Sequence, residues 1–523
     1  MKNQGMRQEM DPRPNSLEYW ANVKPSEIVA IDEARAIRWE ELNDEADRLA
    51  ECLSRAGVGA GDIIGIRTQI RVEWAVAFSA LSKLGCTLLG VNWRLSGPEL
   101  NHLLSDAGAI GLICDDADPQ ALLEALSSPL RVVVSLGGKA DGAIAYEEVL
   151  ALPLVKRVSI GDAPFIIYTS GTTGSPKGVV MGQPPAPENA AIHAEYAQAV
   201  SAIIPRSAND VMLLTLPLSH SAGPAQVRRT LTFGSKVVMM RKFEPEAALG
   251  LIEKHGVTIW ISVPTMLNRI AALSEEVTGR YDVSSLNGIQ VGGAPIAPTV
   301  KRRIGQIFGS NVLHETYGST ETGMVCHLPP ELIELKPAAC GVGFPHTLIE
   351  IRDADRKILP QGEVGGIWVR TPVIISNYLN MPPLGLDVLD ERGFFFTGDA
   401  GYLDSEATLF ITDRIKDMIV SGGVNIYPAE IEAVLHEHAG VQGAAVIGIP
   451  DEDFGEQVKA FVELAPGANA RSEELLEMCR TRLAGYKVPR SLEIIAQLPR
   501  NDTGKVLKRT LREPFWAGRA RAV

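Results

Sequence analysis

Apolar positions follow two textures along most of the chain. Short runs at residues 61–67 (GDIIGIR), 110–114 (IGLIC) and 130–135 (LRVVVS) read as buried strands, because apolar residues run on instead of alternating with polar ones. Residues 41–56 and 71–84 carry the longer spacing of helices and lie between such strands. Strand and helix in regular succession predict an α/β chain built on parallel sheet. Residues 165–168, 211–216, 236–240, 258–262 and 288–291 extend the strand pattern. From 343 to 413 the texture changes. There LIEIRD, GGIWVR, FFFTGD and ATLFITD are short strands separated by turns, which predicts a small antiparallel sheet or barrel.

The C-terminal part reads as a separate compact unit. Pro428 opens a helix (PAEIEAVLHEHAG) with Glu430 and Glu432 in its first turn and Gly440 past its end. Residues 441–449 and 458–464 read as strands around a PDEDFG turn, and 472–484 as a helix closed by Gly485. A small α+β domain is expected, with its boundary near residues 414–416.

Composition narrows the class without naming it. A chain of 523 residues exceeds one ordinary core, so about two to four domains or subdomains are expected. With 46% hydrophobic and 22% charged residues it is neither disordered nor fibrous. The formal charge, 50 − 63 = −13, argues against coating nucleic acid or anionic membrane, while leaving room for one basic pocket. Cys52, Cys86, Cys114, Cys326, Cys340 and Cys479 show neither CxxC nor zinc spacing, so reduced, mostly buried thiols are expected. The first residues lack an apolar signal segment, and no run approaches the ~20 apolar residues of a membrane span. A cytoplasmic enzyme with no nucleic-acid and no integral-membrane partner is the expectation, and a homodimer is compatible with it.

The segment most charged with chemistry is YTSGTTGSPKG, residues 168–178. Thr169, Ser170, Gly171, Thr172, Thr173, Gly174 and Lys177 follow an apolar strand. Glycines let backbone N–H groups approach an anion, hydroxyls add donors, and one lysine adds charge. The physical reading is a triphosphate cradle, although composition alone also fits an exposed Gly/Ser loop. Its spacing, G-x-x-G-x-x-K-G, is not that of a Walker A loop.

As an ordered string this loop resembles the phosphate loop of the adenylate-forming superfamily, which holds acyl-CoA synthetases, aryl-CoA ligases, firefly luciferase and nonribosomal adenylation domains. Further matches run in the family's order as far as Lys505. The resemblance implies a large N-terminal domain (1–415) of two α/β subdomains plus a small barrel-like sheet. It also implies a small mobile α+β domain (416–523), hinged at Lys416.

What the resemblance implies about single residues follows the chain. Gly293, Ala294 and Pro295 end a strand with small residues and border adenine; an ordinary strand-to-helix turn is the plain alternative. In Tyr317-Gly318-Ser319-Thr320-Glu321, Tyr317 flanks adenine, Thr320 bonds phosphate and Glu321 holds Mg²⁺ with the phosphates. Asp399 and Arg414 form the ribose pair. Lys505, in PRNDTGK, is the catalytic lysine. A carboxylate attacks the α-phosphate while pyrophosphate leaves, and an ammonium steadies the converging negative charge. The nucleophile is already ionised near neutral pH, so no general base is needed. Gly422 and Gly423 are expected to line a thiol tunnel once the small domain rotates.

His220, in PLSHSAG, gates or walls the acid's approach, or is simply a core histidine satisfied by backbone. Trp260, Met324, Val325 and Cys326 are expected beside the acyl pocket, or in plain core. Small Ala222 and Gly223 with the apolar stretch 257–266 suggest a hydrophobic acid: fatty, aryl or alicyclic. One departure stands out: residues 181–188 read MGQPPAPE where relatives begin a helix, and the prolines displace that start.

Residues 421–432 (SGGVNIYPAEIE) and Tyr486-Lys487-Val488-Pro489 resemble the acyl- and aryl-CoA ligase branch. The implied activity consumes ATP and coenzyme A with Mg²⁺ in two half-reactions. Three alternatives stay open: loading of a carrier protein, a luciferase-like oxygenase, and a catalytically dead nucleotide-binding regulator.

Overall fold

The computed structural model describes residues 12–169, 176–422, 424–502 and 504–517. Its architecture is α/β, with two large sheets that are parallel through their middles. In the seven-stranded sheet the order is Ile144–Ala145, Val132–Ser135, Gly111–Cys114, Ile63–Arg67, Thr87–Val91, Phe165–Thr169 and Lys177–Met181. Only the last pair is antiparallel. In the nine-stranded sheet, Leu313–Ser319, Gly288–Gly292, Ile259–Ser262, Val211–Leu214, Lys236–Met239 and Ile28–Ile31 run parallel, flanked by antiparallel edges.

The sequence dictates these sheets through full burial. Strand Gly111–Cys114 is buried at every position, as is Val132–Ser135, so polar alternation would leave polar groups unpaired. Gly65 sits where a Cβ would lie 2.9 Å from Leu112 Cδ1, so the sheet admits no side chain there. The helix Trp39–Arg55 buries one stripe, Trp39, Leu42, Ala46, Leu49 and Leu53, against the sheets. The helix Val72–Leu84 is buried along its whole length and stops at Gly85, whose φ of 70° is the left-handed cap that glycine takes without strain. A single apolar cluster takes in side chains from both sheets, which fixes them relative to one another.

Residues 348–414 form the smaller antiparallel sheet, in the order Leu348–Arg352, Gly365–Arg370, Phe395–Leu403 and Leu409–Arg414. Beyond it, Val441–Asp451 and Gly455–Leu464 make a long hairpin, joined by Ile419–Ser421, Val424–Ile426 and Ser491–Ile495. Helices Pro428–Leu435 and Ser472–Arg482 cover one face of that hairpin. Helix Lys508–Trp516 covers the other, with Trp516 Nε1 donating to Gly448 O at 3.0 Å. After the 181–188 segment the next α-helix starts at Ala190, preceded by a short 3-10 turn at Pro187–Asn189. The displaced helix start follows from prolines that cannot donate the needed hydrogen bonds. Five of the six cysteines are buried and Cys340 is partly so, all of them unbridged. No described helix is long and apolar enough to cross a membrane.

Candidate active site

Both large sheets present strand C-termini to one crevice, where ligands of open α/β sheets bind. On one side, strands Phe165–Thr169 and Lys177–Met181 form a hairpin in which Thr169 pairs with Lys177. Thr169 Oγ1 lies 3.5 Å from Lys177 O. Ser170, Gly171, Thr172, Thr173 and Gly174 lie outside the described residues. Lys177 Nζ stands 5.0 Å from the Tyr378 ring centroid. Tyr378 Oη in turn donates to Glu321 Oε1 at 3.3 Å, and burial followed by that carboxylate pushes its pKa up. Tyr378 therefore links the lysine of the phosphate hairpin to the acidic residue of the opposite loop. Sequence reasoning missed it; the only hint was a lone tyrosine in a Pro/Asn-rich loop.

On the other side, Gly293, Ala294 and Pro295 follow strand Gly288–Gly292, and Tyr317 and Gly318 end strand Leu313–Ser319. A Cβ on Gly318 would meet the Gly323 carbonyl at 2.1 Å, so the hairpin requires glycine there. The Thr320–Glu321 turn is braced by Ser319 and Thr322, whose hydroxyls lie 3.1 Å apart. Thr320 and Glu321 are half-buried at its tip. Tyr317 Oη donates to Asp399 Oδ2 at 2.6 Å, and Arg414 Nε lies 3.0 Å from Asp399 Oδ1. Asp399 and Arg414 are cross-strand partners, so sheet register sets their pairing. At 7% exposure the carboxylate is fixed yet reachable, and each oxygen keeps a lone pair for a further donor.

The C-terminal unit contributes Lys505 to this crevice. A turn shapes its loop: Gly504 N donates to Asn501 O at 2.9 Å, and Lys505 N to Asn501 Oδ1 at 2.8 Å. Gly504 has φ of 79°, and a Cβ there would clash with Thr265 of the large domain. Asp502 bonds Asn92 and lies 2.5 Å from Arg94 Nη1. These contacts span more than four hundred residues and hold the loop against the large domain. Burial lowers the Lys505 pKa to about 8, with Arg414 adding to the fall and Asp399 opposing it. Lys505, Asp399 and Arg414 thus share one electrostatic neighbourhood. Lys416, in the 3-10 turn Ile415–Asp417, borders it, and burial with Arg414 lowers its pKa too.

His220 also faces this loop. It lies in the turn before helix Ala222–Phe233, where a Cβ on Gly223 would strike the Pro217 carbonyl. Its Nε2 is buried without a hydrogen-bond partner among the described residues. Burial lowers its pKa, against the pull of Asp502. Of the four residues expected beside the acyl pocket or in plain core, three are core. Trp260 is fully buried between Phe243 and Phe308 with Nε1 bonded to Thr215, because alternate side chains of its strand point away from the crevice. Val325 and Cys326 are buried against the smaller sheet. Met324 remains at the site, its carbonyl accepting from Tyr196 Oη at 2.6 Å.

Gly422 is not brought to this centre. It is exposed, has φ of 58°, and donates to Phe454 O at 2.8 Å within the C-terminal unit. Gly423 lies outside the described residues. Among the described residues no cluster of three His, Cys, Asp or Glu side chains could hold a metal alone. A single carboxylate such as Glu321 suits Mg²⁺, which keeps waters and takes its other ligands from substrate phosphates.

The AMP-binding enzyme family matches residues 17–379, and the AMP-binding enzyme C-terminal domain matches residues 430–505. The chain is 34% identical over 511 residues to the fatty acid–[acyl-carrier-protein] ligase ScoC of Streptomyces coeruleorubidus, covering 97% of this chain and 96% of that one. It is 34% identical over 505 residues to the 2-succinylbenzoate–CoA ligase of Geobacillus kaustophilus, covering 96% and 98%. Among solved structures, o-succinylbenzoate coenzyme A synthetase (MenE) of Bacillus subtilis, in complex with ATP and magnesium ion, superposes with a TM-score of 0.78 at 29% identity, covering 96% and 100%. The chain belongs to the AMP-binding enzyme family, in its acyl-CoA synthetase branch.

Proposed function

We propose that this chain is an AMP-forming acid–thiol ligase that joins a carboxylic acid to coenzyme A. In the first half-reaction an oxygen of the acid attacks the α-phosphorus of ATP, the bond to the β-phosphate breaks, and pyrophosphate leaves. In the second, the thiol sulfur attacks the acyl carbon, AMP departs, and the thiol proton passes to water. The observation that carries the reading is the meeting of Lys505 with Asp399 and Arg414 in one crevice, under a loop held by Asp502.

Each residue has a physical task. The hairpin bearing Thr169 and Lys177 grips the β- and γ-phosphates, with Ser170–Gly174 completing the cradle. Asp399 accepts from the ribose hydroxyls, steadied by Tyr317 and Arg414. Gly293, Ala294, Pro295 and Tyr317 flank the adenine, and Thr320 bonds phosphate. Glu321 would hold Mg²⁺, which would supply positive charge against the phosphates. Lys505 supports charge on the attacking and bridging oxygens, where its desolvated ammonium acts more strongly than in water. His220 closes the acid's side of the crevice.

Residues 1–415 then act as the adenylating domain and 416–523 as a mobile unit turning about Lys416, which brings Gly422 and Gly423 to the thiol. The cytoplasm, where ATP and coenzyme A are both available, is the proposed location. Incubation with labelled ATP and an acid panel should yield AMP and pyrophosphate; ADP and phosphate would contradict the reading. The 34% identity to a carrier-protein ligase favours one second reading, transfer to a phosphopantetheinyl carrier. Side-by-side thioester assays with coenzyme A and a carrier as acceptors separate the two.

A further inference from the structure

The far end of the acid is the part of the substrate that the phosphate, ribose and lysine residues leave undefined. Helix Ala222–Phe233 begins two residues after His220, so its first turn starts at the acid's reacting end. Val227 and Thr230 face the core, Thr230 Oγ1 lying 3.9 Å from Met212 Sδ. Ala222, Gln226 and Arg229, four and three residues apart, share a different face. Gln226 is only 3% exposed, yet its Oε1 has no hydrogen-bond partner. That oxygen accepts only from a donor, so the Nε2–H2 end of the same amide is the part that can donate to a ligand carboxylate.

One turn further lies Arg229, which faces Tyr196. Tyr196 is the buried ring whose Oη donates to the Met324 carbonyl, beside the Glu321 turn. Arg206 joins the same region from the segment after helix Ala190–Ser201. Its Nη1 stands 3.7 Å from Met212 Sδ, the sulfur that Thr230 also faces. Among the described residues no carboxylate lies within 4.0 Å of either guanidinium. Burial lowers Arg206 to about 9, with Arg229 adding to the fall and Asp210 pulling back. Burial also lowers Arg229 to about 10, with Arg228 adding to it. Two largely buried guanidiniums balanced only by Asp210 beyond ion-pair distance are costly, and an anion between them would relieve both.

We propose that the acid carries a second carboxylate at the far end of an apolar body, received by Arg229 and Arg206 with Gln226 beside it. This rests on the ligase reading for the position of the reacting end. The helix sets the span: seven residues separate Ala222 from Arg229, roughly 10 Å along the axis. The apolar walls and the hydrophobic acid expected from sequence are kept; what is added is a charged terminus.

The test pairs α,ω-dicarboxylic acids, from hexanedioic to dodecanedioic, with monoacids of equal chain length. Calorimetric binding and pyrophosphate release are measured for the full-length wild type, R229M, R206M and R229K. At one length the wild type should favour the diacid by about tenfold or more in both readouts. R229M and R206M should each erase that ratio, and R229K, which keeps the charge, should retain part of it. A monoacid preference at every length, or a ratio unchanged in R229M, overturns the proposal. Turnover of monoacids alone would leave the ligase reading standing and remove this one. Arg229-dependent diacid binding without any AMP formation would do the reverse.

Discussion

Arg94 Nη1 lies 2.5 Å from Asp502 Oδ1, joining the large domain to the loop that carries Lys505. Because Arg94 is 59% exposed, this pair alone contributes little; its partner contact from Asn92 is the more sheltered one. Together they bias the C-terminal unit toward the orientation in which Lys505 enters the crevice. D502N should therefore slow adenylation about fivefold, equivalent to about 1 kcal/mol. Thioester formation from supplied acyl-adenylate should stay near the wild-type rate. Pyrophosphate exchange and a coupled thioester assay measure the two steps, and equal loss in both would contradict the bias.

Gly504 tests the same posture from the backbone. Its φ of 79° and the close approach of Thr265 leave no room for a methyl group. G504A should cut pyrophosphate exchange by about tenfold, a cost of 1–2 kcal/mol from strain alone. Pairing it with T265G should recover part of that loss, whereas no recovery would mean that the contact is incidental.

Lys505 predicts a trade of stability for activity. Its pKa of about 8 lies below the ordinary 10.5, so the folded state disfavours the charged form. Below pH 8 both folded and unfolded chains hold the proton, and the nucleotide-free enzyme bears the full desolvation penalty. Between pH 8 and 10.5 the unfolded chain binds more protons, so stability from this group rises with pH. K505M should consequently melt higher than wild type at pH 7, and the gap should narrow as pH rises through that window. Calorimetric melting of both proteins at several pH values decides it; a lower melting temperature for K505M at pH 7 counts against the reading.

Tyr317 and Arg414 fix the Asp399 carboxylate from either side. Removing the phenol in Y317F should loosen it and raise KM for ATP by roughly five- to tenfold, a hydrogen bond to a charged group being worth about 1.5–3 kcal/mol less the residual packing. The KM for the acid should move less. Initial-rate kinetics with each substrate varied in turn would expose the opposite pattern.

Trp260 distinguishes core from pocket. Stacked on Phe243 and edge-on to Phe308, it supports the nine-stranded sheet and not the acid. W260F should lower stability by about 1–3 kcal/mol through lost volume and the lost hydrogen bond to the Thr215 hydroxyl. Relative rates across an acid panel should be unchanged, as measured by hydroxamate trapping.

The parallel sheets were legible because their strands are apolar throughout: Val132–Ser135 has no solvent face to encode. Asp399 and Lys505 were legible only as members of ordered motifs, since neither residue type signals a site by itself. Trp260 stayed open between pocket and core because its strand runs toward the crevice while its side chain points away, and linear order does not reveal that direction. Tyr378, Asp502 and the Arg206–Arg229 pair lay beyond reach for a related reason. Each acts through a partner tens to hundreds of residues away, and only folding brings the two together. The link from Lys177 through Tyr378 to Glu321 is of this kind.

The most direct test of the whole account separates the two half-reactions in K505A. Lys505 borders Asp399 and Arg414, while Gly422 is exposed away from them. K505A should lose acid-dependent pyrophosphate exchange by about a hundredfold or more, as expected when a preorganised charge is removed. It should still convert supplied acyl-adenylate and coenzyme A to thioester at close to the wild-type rate. Loss of both steps to the same degree, or of neither, would contradict the assignment of Lys505 to adenylation.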